Sequence, residues 1–146
     1  MLQRTVQVGQ LAVSADSVDL RTEVTLLAAQ ASSGPLTIQQ LDGDLQIGAV
    51  DGVTGLTASA AIAVSTARGD LTVSENISAS GPGTIQLQAG GENSTFSTSA
   101  NIDTADQAVT VTADHQNLSG ATLGSAQEEV TLQPTSVSAT IELVTA

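Results

Sequence analysis

Tryptophan, tyrosine, cysteine and lysine are all absent from this 146-residue chain, and Phe96 is its one aromatic side chain. Large rings supply much of the buried area in most globular cores. A core built without them has to be thin and filled by Val, Ile, Leu and Ala. The lack of cysteine excludes a disulfide framework and any thiolate metal site. It fits an exported protein that must stay unfolded before secretion, but it does not fix the compartment. The only basic residues are Arg4, Arg21 and Arg68, against 15 acidic ones, for a net charge of -12. Phosphate backbones and anionic membrane surfaces are held by clustered Lys and Arg, so neither nucleic acid nor such a surface is an expected partner. No apolar run approaches the roughly 20 residues of a membrane helix, so no membrane insertion is expected. The opening "MLQRTVQVGQ" has no apolar h-region of a signal peptide. If the natural protein is exported, the chain is expected to be a processed or excised piece.

What the chain does contain is a repeated strand phrase. Hydrophobic residues make up 40% of it, enough for a core, and its length suits one domain spanning residues 1–146. The phrases are "EVTLLA" at 23, "DLQIGA" at 44, "AIAVST" at 61, "TIQLQA" at 84, "AVTVTA" at 108 and "EVTLQP" at 129. They follow one another at a nearly steady step of about 20 residues, at the short end of the solenoid range. Their second and fourth residues are aliphatic: Val24 and Leu26, Leu45 and Ile47, Ile62 and Val64, Ile85 and Leu87, Val109 and Val111, Val130 and Leu132. An intervening series reads "PLTIQQ" at 35, "GLTASA" at 55, "DLTVSE" at 70 and "NLSGATL" at 117, with "STFSTSANI" filling the gap and "ATIELV" closing it. Turn signals separate the phrases: Gly34-Pro35, Asp42-Gly43, Asp51-Gly52, Gly81-Pro82-Gly83, Gly90-Gly91 and Ser119-Gly120.

Short strands at a nearly fixed period describe an all-β, parallel β-helix, or β-solenoid, of about six coils of roughly 20 residues. Inward aliphatic residues then pile into ladders, Leu87, Val111 and Leu132 on consecutive rungs, while Thr, Ser, Gln and Asp face water. No segment holds a helical period for any length. "EVTLLAAQAS" is the nearest, and Gly34-Pro35 soon stops it. The alternative is a β-sandwich of seven or eight short strands, which predicts no step-wise equivalence between phrases.

The phrases "GDLTVSENISASGPGTIQLQAGG", "ANIDTADQAVTVTAD" and "LSGATLGSAQEEVTLQPTS" resemble the haemagglutination-type repeats of filamentous haemagglutinin-like proteins, large bacterial adhesins exported by two-partner secretion. The likeness covers residues 69–136 well and the first 68 loosely. It implies a right-handed coil, the hand that parallel connections favour generally, and a place in the shaft of a cell-surface protein. No secretion-recognition domain and no receptor-binding tip is visible in it.

Each chemistry-bearing residue also has a bland role open to it. Asp42, Asp44 and Asp51 lie near tight turns and are the candidates for Ca²⁺, which takes six to eight oxygens. Their spacing matches neither the EF-hand nor the nonapeptide repeat, and Asp favours turns for conformational reasons alone. Asp103 with Asp106, and Glu128 with Glu129, could serve a glycoside hydrolase only as carboxylates facing each other across a sugar. Adjacent glutamates in a strand point to opposite sides, so these charges read as solvated. His115, the single histidine, lacks a nucleophile-elbow neighbour and reads as an exposed turn residue. Asn76, Asn93 and Asn117 stand in N-x-[ST] triplets, but Asn also mimics backbone turns. Thr110 and Thr112 suit an ice-binding Thr-x-Thr face, whereas the equivalent pairs Ala63 and Ser65, Gln86 and Gln88, and Thr131 and Gln133 do not. No catalytic residue, cofactor-binding residue or metal ligand is therefore assigned.

The functional expectation is a rigid shaft or spacer in a secreted bacterial surface adhesin, its partners being neighbouring coils and an unnamed receptor. The alternative is a subunit stacking head to tail with identical copies into a filament, since neither terminal phrase reads as a polar cap. A carbohydrate-active β-helix ranks below both, because aromatics and basic residues are scarce.

Overall fold

A computed structural model describes residues 5–105, 107–124 and 129–136. Every regular element among them is a strand, so no helix there is long and apolar enough to cross a membrane. Coil by coil, the strands are β1 (Thr5–Gln7) and β2 (Gln10–Ala15); β3 (Val18–Glu23) and β4 (Leu26–Ala31); β5 (Leu36–Gln40), β6 (Leu45–Ile47), β7 (Ala49–Val50), β8 (Val53–Thr54) and β9 (Leu56–Ala58); β10 (Ile62–Thr66), β11 (Leu71–Val73) and β12 (Ile77–Ala79); β13 (Ile85–Ala89), β14 (Thr95–Thr98) and β15 (Ile102–Thr104); β16 (Val109–Thr112) and β17 (His115–Asn117); and β18 (Val130–Gln133).

These strands stack in parallel as a β-solenoid. The first face is a seven-stranded parallel sheet in the order β1-β3-β5-β10-β13-β16-β18. A second face carries β6-β11-β14-β17 and a third carries β9-β12-β15. In the first two coils the second and third faces are not yet separate: β2 and β4 run unbroken over both, paired along their whole length. The division begins where Leu26 and Leu27 pair with β6 while Ala29 to Ala31 pair with β9.

Strand alternation puts one residue in two inside. On the first face Val18, Leu36, Ile62, Ile85, Val109 and Val130 form one column, and Leu20, Ile38, Val64, Leu87, Val111 and Leu132 the next. Leu87, Val111 and Leu132 therefore occupy consecutive rungs, as the ladder requires. A sandwich is ruled out by this parallel register. On the third face Leu56, Ile77 and Ile102 align, and a bridge from Ile102 to Leu123 continues the column. Phe96, fully buried, stands on Leu71 in the second-face column begun by Leu45. The turn signals all fall between strands. "ATIELV" from Ala139 lies outside the described residues.

The coils are unequal, and this corrects the even-step alignment of phrases. From Val18 the first face advances to Leu36, Ile62, Ile85, Val109 and Val130. The step from Leu36 to Ile62 is the longest of these and the one from Val18 to Leu36 the shortest. A shorter step still separates Thr5 of β1 from Arg21 of β3. As a result, "PLTIQQ" belongs beneath "AIAVST", while "EVTLLA" and "DLQIGA" supply β4 and β6 on another face. The longest step contains an insertion that no other described coil has. β7 and β8 form an antiparallel hairpin across Asp51-Gly52, both with positive φ (50° and 84°). That conformation matches a type I′ turn and suits the twist of the hairpin strands. The hairpin lies against β4 and β2. It covers Ala28, which alternation points outward and which is nevertheless fully buried. "EVTLLAAQAS" is thus strand along its length beyond the corner at Val24 and Thr25, because Leu27, Ala29 and Ala31 face the core while the hairpin covers the opposite side.

Candidate functional site: polar corners and an uncharged face

Where a coil turns from one face to the next, backbone N–H groups leave the strand ladder and need other acceptors. Side chains one coil below supply them. Asp44 Oδ1 accepts the Asp70 N–H at 2.8 Å, and Asp70 Oδ1 accepts the Thr95 N–H at 2.8 Å. At the next corner Asn76 Oδ1 accepts the Asn101 N–H at 3.0 Å, and Asn101 Oδ1 accepts the Thr122 N–H at 3.2 Å. Each bond joins successive coils, and bonds to a carboxylate are the stronger kind.

A third corner is polar on the inside. Thr22, Gln40 and Thr66 align in one buried column. Thr22 Oγ1 donates to Gln40 Oε1 at 2.7 Å, and the same oxygen accepts the Val24 N–H. Gln40 Nε2 donates to the carbonyls of Val24, Asp42 and Asp44. Gln40 thereby satisfies an entire bend, which explains why a long polar side chain sits where its neighbours on the strand are apolar. Gln116 repeats the donor half of the device in the sixth coil, its Nε2 donating to the carbonyls of Val111, Ala113 and Gln133 while its buried Oε1 has no partner among the described residues.

Among the described residues Asp114 is the most engaged carboxylate. It is buried between coils and accepts the N–H groups of Asn93, Thr135 and Ser136 and the Ser136 hydroxyl, at 2.7–3.0 Å. The Ser136 N–H, then its hydroxyl, hold the carboxyl below its ordinary value, with smaller help from Asn93 and Thr135. Burial opposes them and loses.

The residues singled out from the sequence are dispersed by this architecture. Asp44 serves a corner as an acceptor, Asp42 contributes a carbonyl to Gln40, and Asp51 occupies the tip of the hairpin. Among the described residues no three His, Asp or Glu side chains gather at one point. Asp103 is exposed on β15 and Glu129 is exposed at the foot of β18, whereas Asp106 and Glu128 lie outside the described residues. His115 is exposed, but it belongs to strand β17 opposite Thr95 rather than to a turn. Asn76 serves the corner ladder, Asn117 accepts the Ser119 N–H in its own turn, and Asn93 has φ of 62°. Asp70, Asn101, Gln40 and Asp114 escaped sequence reasoning as structural acceptors. The signal was present for the first two: "DL" recurs at 44 and 70, and "NI" at 76 and 101, one true coil apart.

The first face also carries a shallow recess of about 300 Å³. It is lined by outward residues of β5, β10, β13 and β16 together with Gln133, with Ile38, Val64 and Leu87 between them, and none of these residues is charged. Its outward pairs, rung by rung, are Thr37 and Gln39, Ala63 and Ser65, Gln86 and Gln88, Thr110 and Thr112, and Thr131 and Gln133. Only one rung is Thr-x-Thr, so the face has no threonine lattice.

No family model, curated protein or solved structure matches this chain. Its role is therefore inferred from its geometry and the cadence of its sequence.

Proposed function

We propose that this chain is a structural shaft or spacer segment of a large secreted bacterial surface protein of the filamentous haemagglutinin type. The observation that carries the reading is the unbroken parallel register of the first face from β1 to β18. Six inter-strand steps of about 4.8 Å give a rod of roughly 29 Å. Corner side chains bond each coil to the next, so polar groups are spent on continuity along the axis. A rod of this kind holds whatever it carries at a fixed distance from its base, and that is mechanical work needing no catalytic group. The cadence of residues 69–136 supports the family assignment and, through it, the cell-surface location.

Two measurements test the reading. The chain inserted between two fluorescent domains should hold them at a constant separation, insensitive to denaturant until the unfolding transition. A separation that drifts continuously would count against a rigid spacer. Antibodies raised against the chain should label intact, unpermeabilised cells of the source organism, and labelling confined to lysed cells would remove the surface role.

A further inference from the structure

The corner between β10 and β11 reads Ala67-Arg68-Gly69-Asp70, and its backbone is fixed from the coils on either side. Thr66 Oγ1 donates to the Gly69 carbonyl at 2.7 Å, and the Gly69 N–H donates to the Gly90 carbonyl at 3.3 Å. Asp70 is held below by Asp44 and above by Thr95. Gly69 has φ of 134°, and a Cβ there would run into the Gly43 carbonyl of the coil below, so only glycine fits. Arg68 is exposed and Asp70 half-buried. Among the described residues only Oδ1 of the Asp70 carboxylate is bonded, which leaves Oδ2 free.

The fold accounts for Gly69 and Asp70, but not for Arg68. One coil below, Asp42-Gly43-Asp44-Leu45 makes the matching corner, with Leu45 paired to Leu71 and Asp44 as the acceptor. The residue in front of the glycine is open to change: it is Asp42 there and Arg68 here. Arg68 is one of only three basic residues in a chain of net charge -12. It sets a guanidinium two residues from a carboxylate, with the two Cα atoms no more than about 7 Å apart. We propose that Arg68-Gly69-Asp70 is a docking site for a receptor on another cell, one that presents a divalent cation with an open coordination position beside an acidic pocket. The cation takes Asp70 Oδ2, since hard cations are held by carboxylate oxygens. The pocket takes the guanidinium through paired N–H···O bonds. Asp70 is half-buried and tied to Thr95, so an ion that needs one oxygen from it fits where the broad fork of a second arginine would not.

The rigidity of the corner favours binding, because a turn already fixed in one conformation loses little freedom when it is engaged. The contact itself is small, so a single site binds weakly and a surface bearing many copies gains by avidity. The inference rests on the cell-surface location proposed above, since only there would the shaft meet such a receptor. It adds to that reading a contact made from the side of the rod rather than from its tip.

Attachment of adherent animal cells to a surface densely coated with the purified chain reads this directly. Cells should attach in Mg²⁺ or Mn²⁺ and detach in EDTA. A soluble Gly-Arg-Gly-Asp-Ser peptide should compete, whereas Gly-Arg-Gly-Glu-Ser should not. Arg68→Ala should lower attachment at least about tenfold. Asp70→Asn keeps an oxygen for the Thr95 N–H but removes the charge, and should lower it as far. Asp42→Arg, added to Arg68→Ala, rewrites the matching corner one coil below as Arg-Gly-Asp and should restore attachment. Thermal melts establish that each variant is folded. A wild-type coating that cells ignore would overturn the proposal, as would attachment that survives EDTA or is equal on the Arg68→Ala chain. Because the chain is purified, those results leave the shaft reading standing, and a failure of surface labelling leaves the binding result intact.

Discussion

Asp114 shows how a single side chain ties three coils together. Its oxygens accept from Asn93 in the coil below and from Thr135 and Ser136 in the coil above. Because these bonds favour the carboxylate, the folded chain binds this proton less readily than the unfolded one. The sign follows from linkage: the stabilisation is complete above the unfolded value of about 3.9 and is lost as pH falls through the lower folded value. Asp114→Asn should lower the melting temperature at neutral pH and flatten the acid limb of stability, with wild type and variant converging in strong acid. A pH-independent gap between the two would show that Asp114 acts by packing alone. Phe96 makes the opposite case, an apolar residue in a column that changes character above it, with Leu71 below and Gln116 above. Phe96→Ala leaves a cavity that flanking coils, locked in register, cannot close, and should cost about 3–5 kcal/mol in urea unfolding. Phe96→Leu keeps most of the buried volume and should cost about a third of that.

At the scale of elements, the hairpin of β7 and β8 is the feature that breaks the repeat. Gly48 and Gly55 stand at its base, where the Gly55 N–H donates to the Gly48 carbonyl at 2.8 Å. Gly55 has φ of 65°, and a Cβ there would run into the backbone carbonyl of Asn76 in the next coil. The hairpin is thus an excursion closed at its own root, leaving the coil path intact. Replacing Ala49–Thr54 by a short Gly-Ser link should preserve the solenoid while exposing Ala28 and releasing the buried Val50, a loss of about 2 kcal/mol. Collapse of the whole fold on this excision would show that the first two coils depend on the hairpin. The insertion also explains what was legible in the sequence. Above it the steps from Ile62 to Ile85, Val109 and Val130 are nearly even, and the phrases at 61, 84, 108 and 129 pair in the register their alternation predicts. Below it the steps from Thr5 to Arg21 and from Val18 to Leu36 are shorter, and two phrases fall on a different face from the one an even step assigns. Periodicity identifies a strand, but it cannot say which face a strand joins when coil lengths differ, nor where a corner resets the alternation: in "EVTLLA" Val24 is buried at the corner, yet Leu27 rather than Leu26 faces the core from β4.

Over the whole molecule, stability is distributed as in a stacked array, where each coil rests on its neighbours and little else. Strands β10 and β13, paired on both sides near the middle of the first face, should be the slowest to exchange their amide hydrogens, and β1 at the edge among the fastest. Uniform protection across the coils would mean that the rod opens as one unit. The same architecture sets the charge pattern, since faces are flat and crowded while corners project into water. Several of the described carboxylates stand at corners, where Asp44, Asp70 and Asp114 meet free N–H groups, and the outward residues of β5, β10, β13 and β16 are left uncharged.

The sequence by itself determined that the chain is all strand, ring-poor inside, parallel and stacked, because alternation and a recurrent step depend only on local backbone geometry and on which residues leave water. It also determined the turns, whose Gly, Asp and Pro residues are read from their own backbone preferences. Only the tertiary structure decided which phrases share a face, that Asp44, Asp70, Asn76, Asn101 and Asp114 hold coils to one another, and that Ala28 is covered from outside. The reason is physical: each of these depends on what lies one coil away. Along the chain that separation stretches from the short Thr5-to-Arg21 step to the long Leu36-to-Ile62 step, while in space it stays at a single rung.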